Sequence, residues 1–183
     1  MYCIILTQML DFCSPFISDI AYFGGYPNKE NFKELLDCGF EYFVDLTTLR
    51  ERQRLEFDYS MILPNYKNLY YINFSIIDNN IPHNQKSFLE LVKYLTNIIH
   101  EKKKIYIHCK GGHGRSSLLV ASLLCFIHFY TPHKAFHLTK MFHEKRHNLK
   151  DKYRGILCPQ LYSQRKFIME TFKSNIYYEK NTI

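Results

Sequence analysis

At 183 residues the chain is long enough to bury one sizeable core, and no Pro/Gly/Ser-rich linker or change of composition divides it, so residues 1–183 read as a single domain with its core over about 20–173. Lys and Arg number 24 against 17 Asp and Glu, a formal charge of +7 that suits acidic partners: phosphorylated molecules, nucleic acid or anionic membrane. No apolar run approaches the ~20 residues of a membrane span, and six scattered cysteines without a CxxC, behind an N-terminal apolar run too short for a signal peptide, argue for free thiols in an intracellular, cytoplasmic setting.

In chain order, β-rich runs bounded by Gly, Pro, Asn or Asp occur at "AYFGG" (21–25), "EYFVDLT" (41–47), "LYYINFSII" (69–77) and "KIYIHC" (104–109), and these are predicted strands of one sheet. Between the first two, "NKENFKELLDCG" carries a start signal at Asn28, apolar Phe32, Leu35 and Leu36 at helical spacing, and Gly39 at the C-cap position. The stretch 86–104 repeats the pattern with Phe88, Leu91, Val92, Leu95, Ile98 and Ile99 on one face, ending in a basic "KKK" that suits the negative helix pole. Helices are predicted again over 115–130, over 132–147 opened by Pro132, and over 159–173. Alternating strands and helices followed by a helical C-terminal half give an α/β layered domain.

The chemistry concentrates between the last strand and the helix from Arg115. Gly111, Gly112 and Gly114 allow the loop after Cys109 to curl its amide N–H groups inward, and with the positive end of the following helix they cradle a tetrahedral dianion. Phosphate is the natural guest. The same field favours a thiolate, which makes Cys109 nucleophilic at neutral pH. Arg115, back at the rim, can grip two phosphate oxygens with its planar fork. Ser116 can donate a hydroxyl hydrogen bond to the sulfur, and the apolar helix behind the loop locks it to the core. Lys110 and His113 project charge or potential charge between the glycines, where they can address a second anionic group, His113 only below a pH of about 6.5.

The Cys-(x)5-Arg loop, standing as "HCKGGHGRSS" with His108 ahead of Cys109, resembles the signature of the cysteine-dependent protein tyrosine phosphatase family, in its compact dual-specificity branch. The resemblance covers roughly residues 20–173. It implies a single α/β domain with a central mixed sheet of four to five strands flanked by helices, a phosphate-binding loop over Lys110–Ser116 supported by His108, and no cofactor or metal. It also implies an upstream acid that protonates the leaving oxygen. Asp78 in "FSIIDNNIPHNQ" lies in a polar turn between a strand and a helix and is the candidate; Asp45 and Asp58 are weaker, Asp45 because it sits where a strand is capped. Near the C-terminus, "CPQLYSQRKF" resembles the glutamine loop that orients the hydrolytic water, with Gln160 and Gln164 at the matching positions.

The chain has no tryptophan, so the Trp-Pro-Asp acid loop of tyrosine-specific members is absent, as is a Lys-Asn-Arg-Tyr segment that would deepen the pocket. Both absences favour a shallow site. The resemblance therefore implies a phosphoric monoester hydrolase acting through a cysteinyl-phosphate on phosphoproteins, at phosphotyrosine and phosphoserine or phosphothreonine. Phosphoinositides or RNA 5′ ends are the alternative substrates of the same chemistry, which keeps nucleic acid open as a partner, and a catalytically weak phosphate-binding module is the third reading. The rival constellation "HEKRH" (143–147) matches HExxH, but its basic x positions and polar surroundings read instead as a solvated basic helix end. With Lys140, Lys145, Arg146 and Lys150 it would otherwise form a basic patch facing substrate.

Overall fold

The uncharged run Ile105–His108 becomes the most enclosed strand of the sheet, with all of its residues buried, as suits a strand covered on both faces. In the computed structural model, described for residues 10–174, the sheet has the order β1-β2-β5-β3-β4, with β1 at Cys13–Ile17, β2 at Ala21–Gly24, β3 at Tyr42–Asp45, β4 at Tyr70–Asn73 and β5 at Ile105–His108. β2, β5, β3 and β4 are parallel and β1 is antiparallel to β2, so the sheet is mixed, as the resemblance implies. Register sets Gly24 and Asp45 level with His108. The carboxyl ends of three strands therefore open at one place, the edge at which open α/β sheets bind ligands.

Helices α1 (Lys29–Asp37), α2 (Leu49–Arg52), α3 (Gln85–His100), α4 (Arg115–His128), α5 (Pro132–Glu144) and α6 (Tyr162–Thr171) complete the fold. α1 and the turns around Tyr59 and Leu63 cover one face, burying Phe32 and Leu35 against Phe43 and Tyr106. α3, α4 and α6 cover the other, around Val44, Ile105 and Ile107. α4 is buried from Arg115 to Cys125, which explains its lack of any charge after Arg115. Among the described residues no helix is long and apolar enough to cross a membrane. Cys13, Cys38, Cys109, Cys125 and Cys158 are free thiols, while Cys3 and most of the N-terminal apolar run lie outside the described residues.

The departures from expectation have local causes. β1 is a strand that periodicity does not reveal, because Pro15 interrupts "CSPFI"; it is tolerated since β1 is an edge strand with a register irregularity between Pro15 and Ile17. The sheet thus begins ahead of residue 20. The regular part of β4 stops at Asn73, although Phe74 N and Ile76 N still donate to Asp45 O and Leu46 O at 3.0 and 3.1 Å. α3 ends at His100 rather than continuing through the lysines, since Lys102 takes φ +58° and Lys104 O must accept from Tyr42 N to start β5 in register. α5 ends at Glu144, so "HEKRH" is split by the helix terminus.

Candidate active site

Cys109 follows β5 directly and is 3% exposed. The loop bends back over it: Gly112 N donates to Cys109 Sγ at 3.2 Å, and Gly112 is the loop glycine with positive φ, +77°, where a side chain would also strike the Arg146 guanidinium and the Gly24 backbone. Lys110 O accepts from Tyr26 N at 3.1 Å, which ties the loop to the end of β2. Gly111 and Gly114 do not need the left-handed region. The Cys109 thiol donates to Ser116 Oγ at 3.6 Å, and on ionisation the direction of that bond reverses. His108 is fully buried, its Nε2 bonded to Tyr59 OH. Burial, against the pull of Asp45, pushes its pKa down to about 4 and keeps it neutral.

Arg115 was expected at the rim, and instead its guanidinium is almost wholly buried, 2% exposed. Nη1 and Nη2 donate to the two carboxylate oxygens of Glu51 at 2.8 Å each, and Nη1 also donates to Ile76 O at 2.8 Å. Nη2 lies 2.9 Å from Asp78 Oδ1. Burial opposes the charge on Arg115, but the hydrogen bond to Glu51 with the nearby Cys109 and Asp78 outweighs it and raises its pKa. Burial likewise opposes charge on Glu51, whose bonds from Arg115 and Thr48 win and bring it down to about 2. Glu51 is the residue that motif reading passed over. Its signal was present, since Thr48-x-x-Glu51 is a capping-box pattern directly after β3, and the structure forms that box at the start of α2.

Asp78 is exposed, its side chain 59% accessible, on the turn between β4 and α3. Asp45 is fully buried and accepts from Thr47 N, Thr47 Oγ1 and Tyr71 OH, which bears out the capping role. Asp58 accepts from Ser60 N and Tyr26 OH and caps the turn at Tyr59. Gln164 is buried with both ends of its amide engaged: Nε2 donates to Asn80 O at 3.1 Å and Oε1 accepts from Leu161 N at 3.4 Å. It lies against Gly114 and so bridges the Asp78 turn and the phosphate loop. Gln160 is exposed, and its carbonyl accepts from Arg165 Nη1 at 2.8 Å.

One cleft of about 750 Å³ collects Cys109, Arg115, Asp78, Lys110, His113, Gln160 and Gln164, with Tyr26 and Tyr153 on its walls. Reading "HEKRH" as a solvated helix end needs correction. His143 is fully buried and its Nε2 meets His113 Nδ1 at 2.7 Å, while Arg146 is 3% exposed beneath the phosphate loop. The basic patch divides accordingly. Arg146 and Lys150 line the cleft that holds Cys109, Lys140 lines a different groove, and Lys145 extends over Phe142. His113 stacks on Tyr153 with ring centroids 3.8 Å apart, and burial together with Arg146 and Lys152 lowers its pKa to about 4. It is therefore neutral at the pH where it was expected to attract a second anion.

The family model for Tc-R-P, a DSP-PTPase phosphatase of polymorphic toxin systems, matches residues 21–128. The chain is 36% identical over 160 residues to protein 067L of invertebrate iridescent virus 3, named as a predicted tyrosine phosphatase, covering 86% of this chain and 64% of that protein. It is 41% identical over 126 residues to 197R of invertebrate iridescent virus 6, of the same designation, covering 67% of this chain and 45% of the relative. The chain thus spans under two thirds of each of these curated relatives. Among solved structures, Tk-PTP in its active form superposes with a TM-score of 0.71 at 17% identity, over 90% of this chain and 99% of Tk-PTP. PTPMT1 in complex with PI(5)P gives 0.71 at 18% identity, over 92% and 99%. Kinase associated phosphatase with serine at its catalytic cysteine gives 0.68 at 20% identity, over 85% and 87%. These three likenesses establish the shared fold.

Proposed function

The chain belongs to the DSP-PTPase phosphatases of polymorphic toxin systems, whose family model matches more than half of it, and from that premise we propose that it hydrolyses phosphate monoesters through a cysteinyl-phosphate on Cys109. The observation that carries the reading is convergence: Cys109 and Arg115 from one loop and Asp78 from the turn between β4 and α3 meet in one cleft, with Asp78 2.9 Å from Arg115. In the first step the Cys109 thiolate attacks phosphorus in line. An S–P bond forms, the ester P–O bond breaks, and the leaving oxygen takes the proton of Asp78. Loop amides and Arg115 hold the charge spread over the equatorial oxygens. In the second step water attacks phosphorus, Asp78 accepts its proton, and the S–P bond breaks to return the thiolate and release phosphate.

Phosphoproteins are the proposed substrates, at tyrosine and at serine or threonine. Phosphoinositides are the second reading, supported by Lys110 and Lys150 at the cleft, both exposed and free of carboxylate partners among the described residues. A panel of phosphotyrosine, phosphoserine and phosphothreonine peptides and inositol lipids decides between them. The proposal predicts the highest kcat/KM on a peptide. A lipid preferred over every peptide overturns the protein assignment, and no turnover of any substrate overturns the activity.

A further inference from the structure

Arg146 is a buried cation with no ion-pair partner among the described residues. It lies just beyond α5, its guanidinium carbon 4.5 Å above the Phe23 ring and its Nη1 in the space that a side chain on Gly112 would take. Its Nε and Nη2 have no hydrogen-bond partner among the described residues. A guanidinium in that position bears a large desolvation penalty and cannot escape it by losing its proton. Something in the working cycle should supply the missing negative charge.

The titratable groups facing it narrow the choice. They are Tyr106 on β5, Cys13 on β1, Cys158 ahead of α6, Cys109, and the His113–His143 pair. Burial raises Tyr106 and Cys13 far from neutrality and Cys158 up to about 11. Burial and Arg146 itself lower His113 to about 4 and His143 to about 3. All of these are uncharged at pH 7. Cys109 is left, together with whatever anion sits in the loop above it, since Gly112 leaves room for the guanidinium beside it and through its N–H bonds the Cys109 sulfur.

We propose that Arg146 is a positioning cation under the phosphate loop, a second guanidinium behind Arg115, whose missing counter-charge is supplied in turn by the Cys109 thiolate and by the phosphoryl group bound above it. It lies in the cleft wall beneath the loop and acts through Gly112 and Cys109. The inference rests on Cys109 being the nucleophile. A residue held only for packing would show its effect in stability, whereas this one should show it in the ionisation of Cys109.

The test uses the full chain carrying R146M, which keeps the apolar stem without the charge, and R146K, which keeps the charge. The rate at which iodoacetamide alkylates Cys109 is followed against pH, with the S–C bond that forms as iodide leaves located by peptide mass because Cys38 is also accessible. The midpoint should rise by about one pH unit or more in R146M and by a few tenths at most in R146K. Vanadate should bind R146M about tenfold or more weakly, while its Tm without anion stays level or increases, because an uncompensated buried charge has gone. An unmoved midpoint in R146M, an equal rise in R146K, or an R146M that fails to fold overturns the inference. Wild-type protein that neither turns over phosphate esters nor shows a titrating Cys109 would instead overturn the phosphatase reading itself.

Discussion

Arg115 has five N–H donors, and the contacts to Glu51, Ile76 and Asp78 occupy both terminal nitrogens. Glu51 approaches from behind and grips two of those donors, so a phosphoryl group seeking a bidentate grip must displace the exposed partner, Asp78. That exchange has a useful consequence. On the proposed mechanism, as Arg115 turns its Nη2 to phosphate the Asp78 carboxylate loses its cationic partner and takes up from solvent the proton it later gives to the leaving oxygen. Asp78→Asn should therefore do two things together: slow turnover of alkyl or phenyl phosphates by about 10²-fold while sparing a good leaving group, and tighten inhibition by inorganic phosphate several-fold, since a competing negative charge has been removed. Steady-state rates on a leaving-group series, with phosphate as competitive inhibitor, read both effects. Equal losses across the series with weaker phosphate inhibition would place the acid elsewhere.

The Asp78 turn holds its place largely through α6. Gln164 ties Asn80 O to the start of that helix and rests on Gly114, so it acts as a latch between two loops while one N–H and one oxygen lone pair of its amide stay uncommitted in these two bonds. Gln164→Leu keeps the volume, removes the donor to Asn80 and leaves buried polar groups unmet, at a stability cost of about 1–3 kcal/mol. Turnover of poor leaving groups should fall about tenfold while a good leaving group is nearly unaffected, and adding Asp78→Asn should cause little further loss. A uniform loss on both substrates would assign Gln164 a general structural role. The role was illegible in sequence because a glutamine on a helix shows its type and not its partner. The elements themselves were easier to read: Asn28 caps α1 by accepting from Asn31 N, and the apolar face of α3 is the one its spacing implies. β1 hid behind Pro15, whose cost depends on whether a strand lies at an edge, a property of the assembled sheet.

Across the whole molecule, local signals found the loop, and long-range burial decided the rest. Cys109, Arg115 and Ser116 are legible because their spacing is fixed within one turn. Glu51, His143 and Arg146 reach the site from distant segments, and only the packed fold shows that a basic "HEKRH" turns inward. That burial predicts acid sensitivity. His108, His113 and His143 have folded pKa values of about 4, about 4 and about 3, below the usual 6.5, so the unfolded chain binds more protons at any pH between those values. Their stabilisation is complete above about 6.5 and is lost as pH falls through the folded values, and Glu51, lowered from 4.5 to about 2, adds a loss of the same sign at lower pH. Urea midpoints should fall steadily from pH 7 to pH 4; a midpoint that holds or rises over that range would show that these groups are protonated in the native state.

The proposed hydrolysis passes through a covalent phosphoryl transfer to Cys109. Wild-type protein mixed with a labelled phosphoester and quenched in acid within milliseconds should carry label on the peptide containing Cys109, in an amount approaching one equivalent when breakdown of the intermediate is slow. Cys109→Ser should carry none, show no turnover and still bind phosphate. Turnover by the wild type with no label on Cys109, or undiminished turnover by the serine variant, would contradict the account.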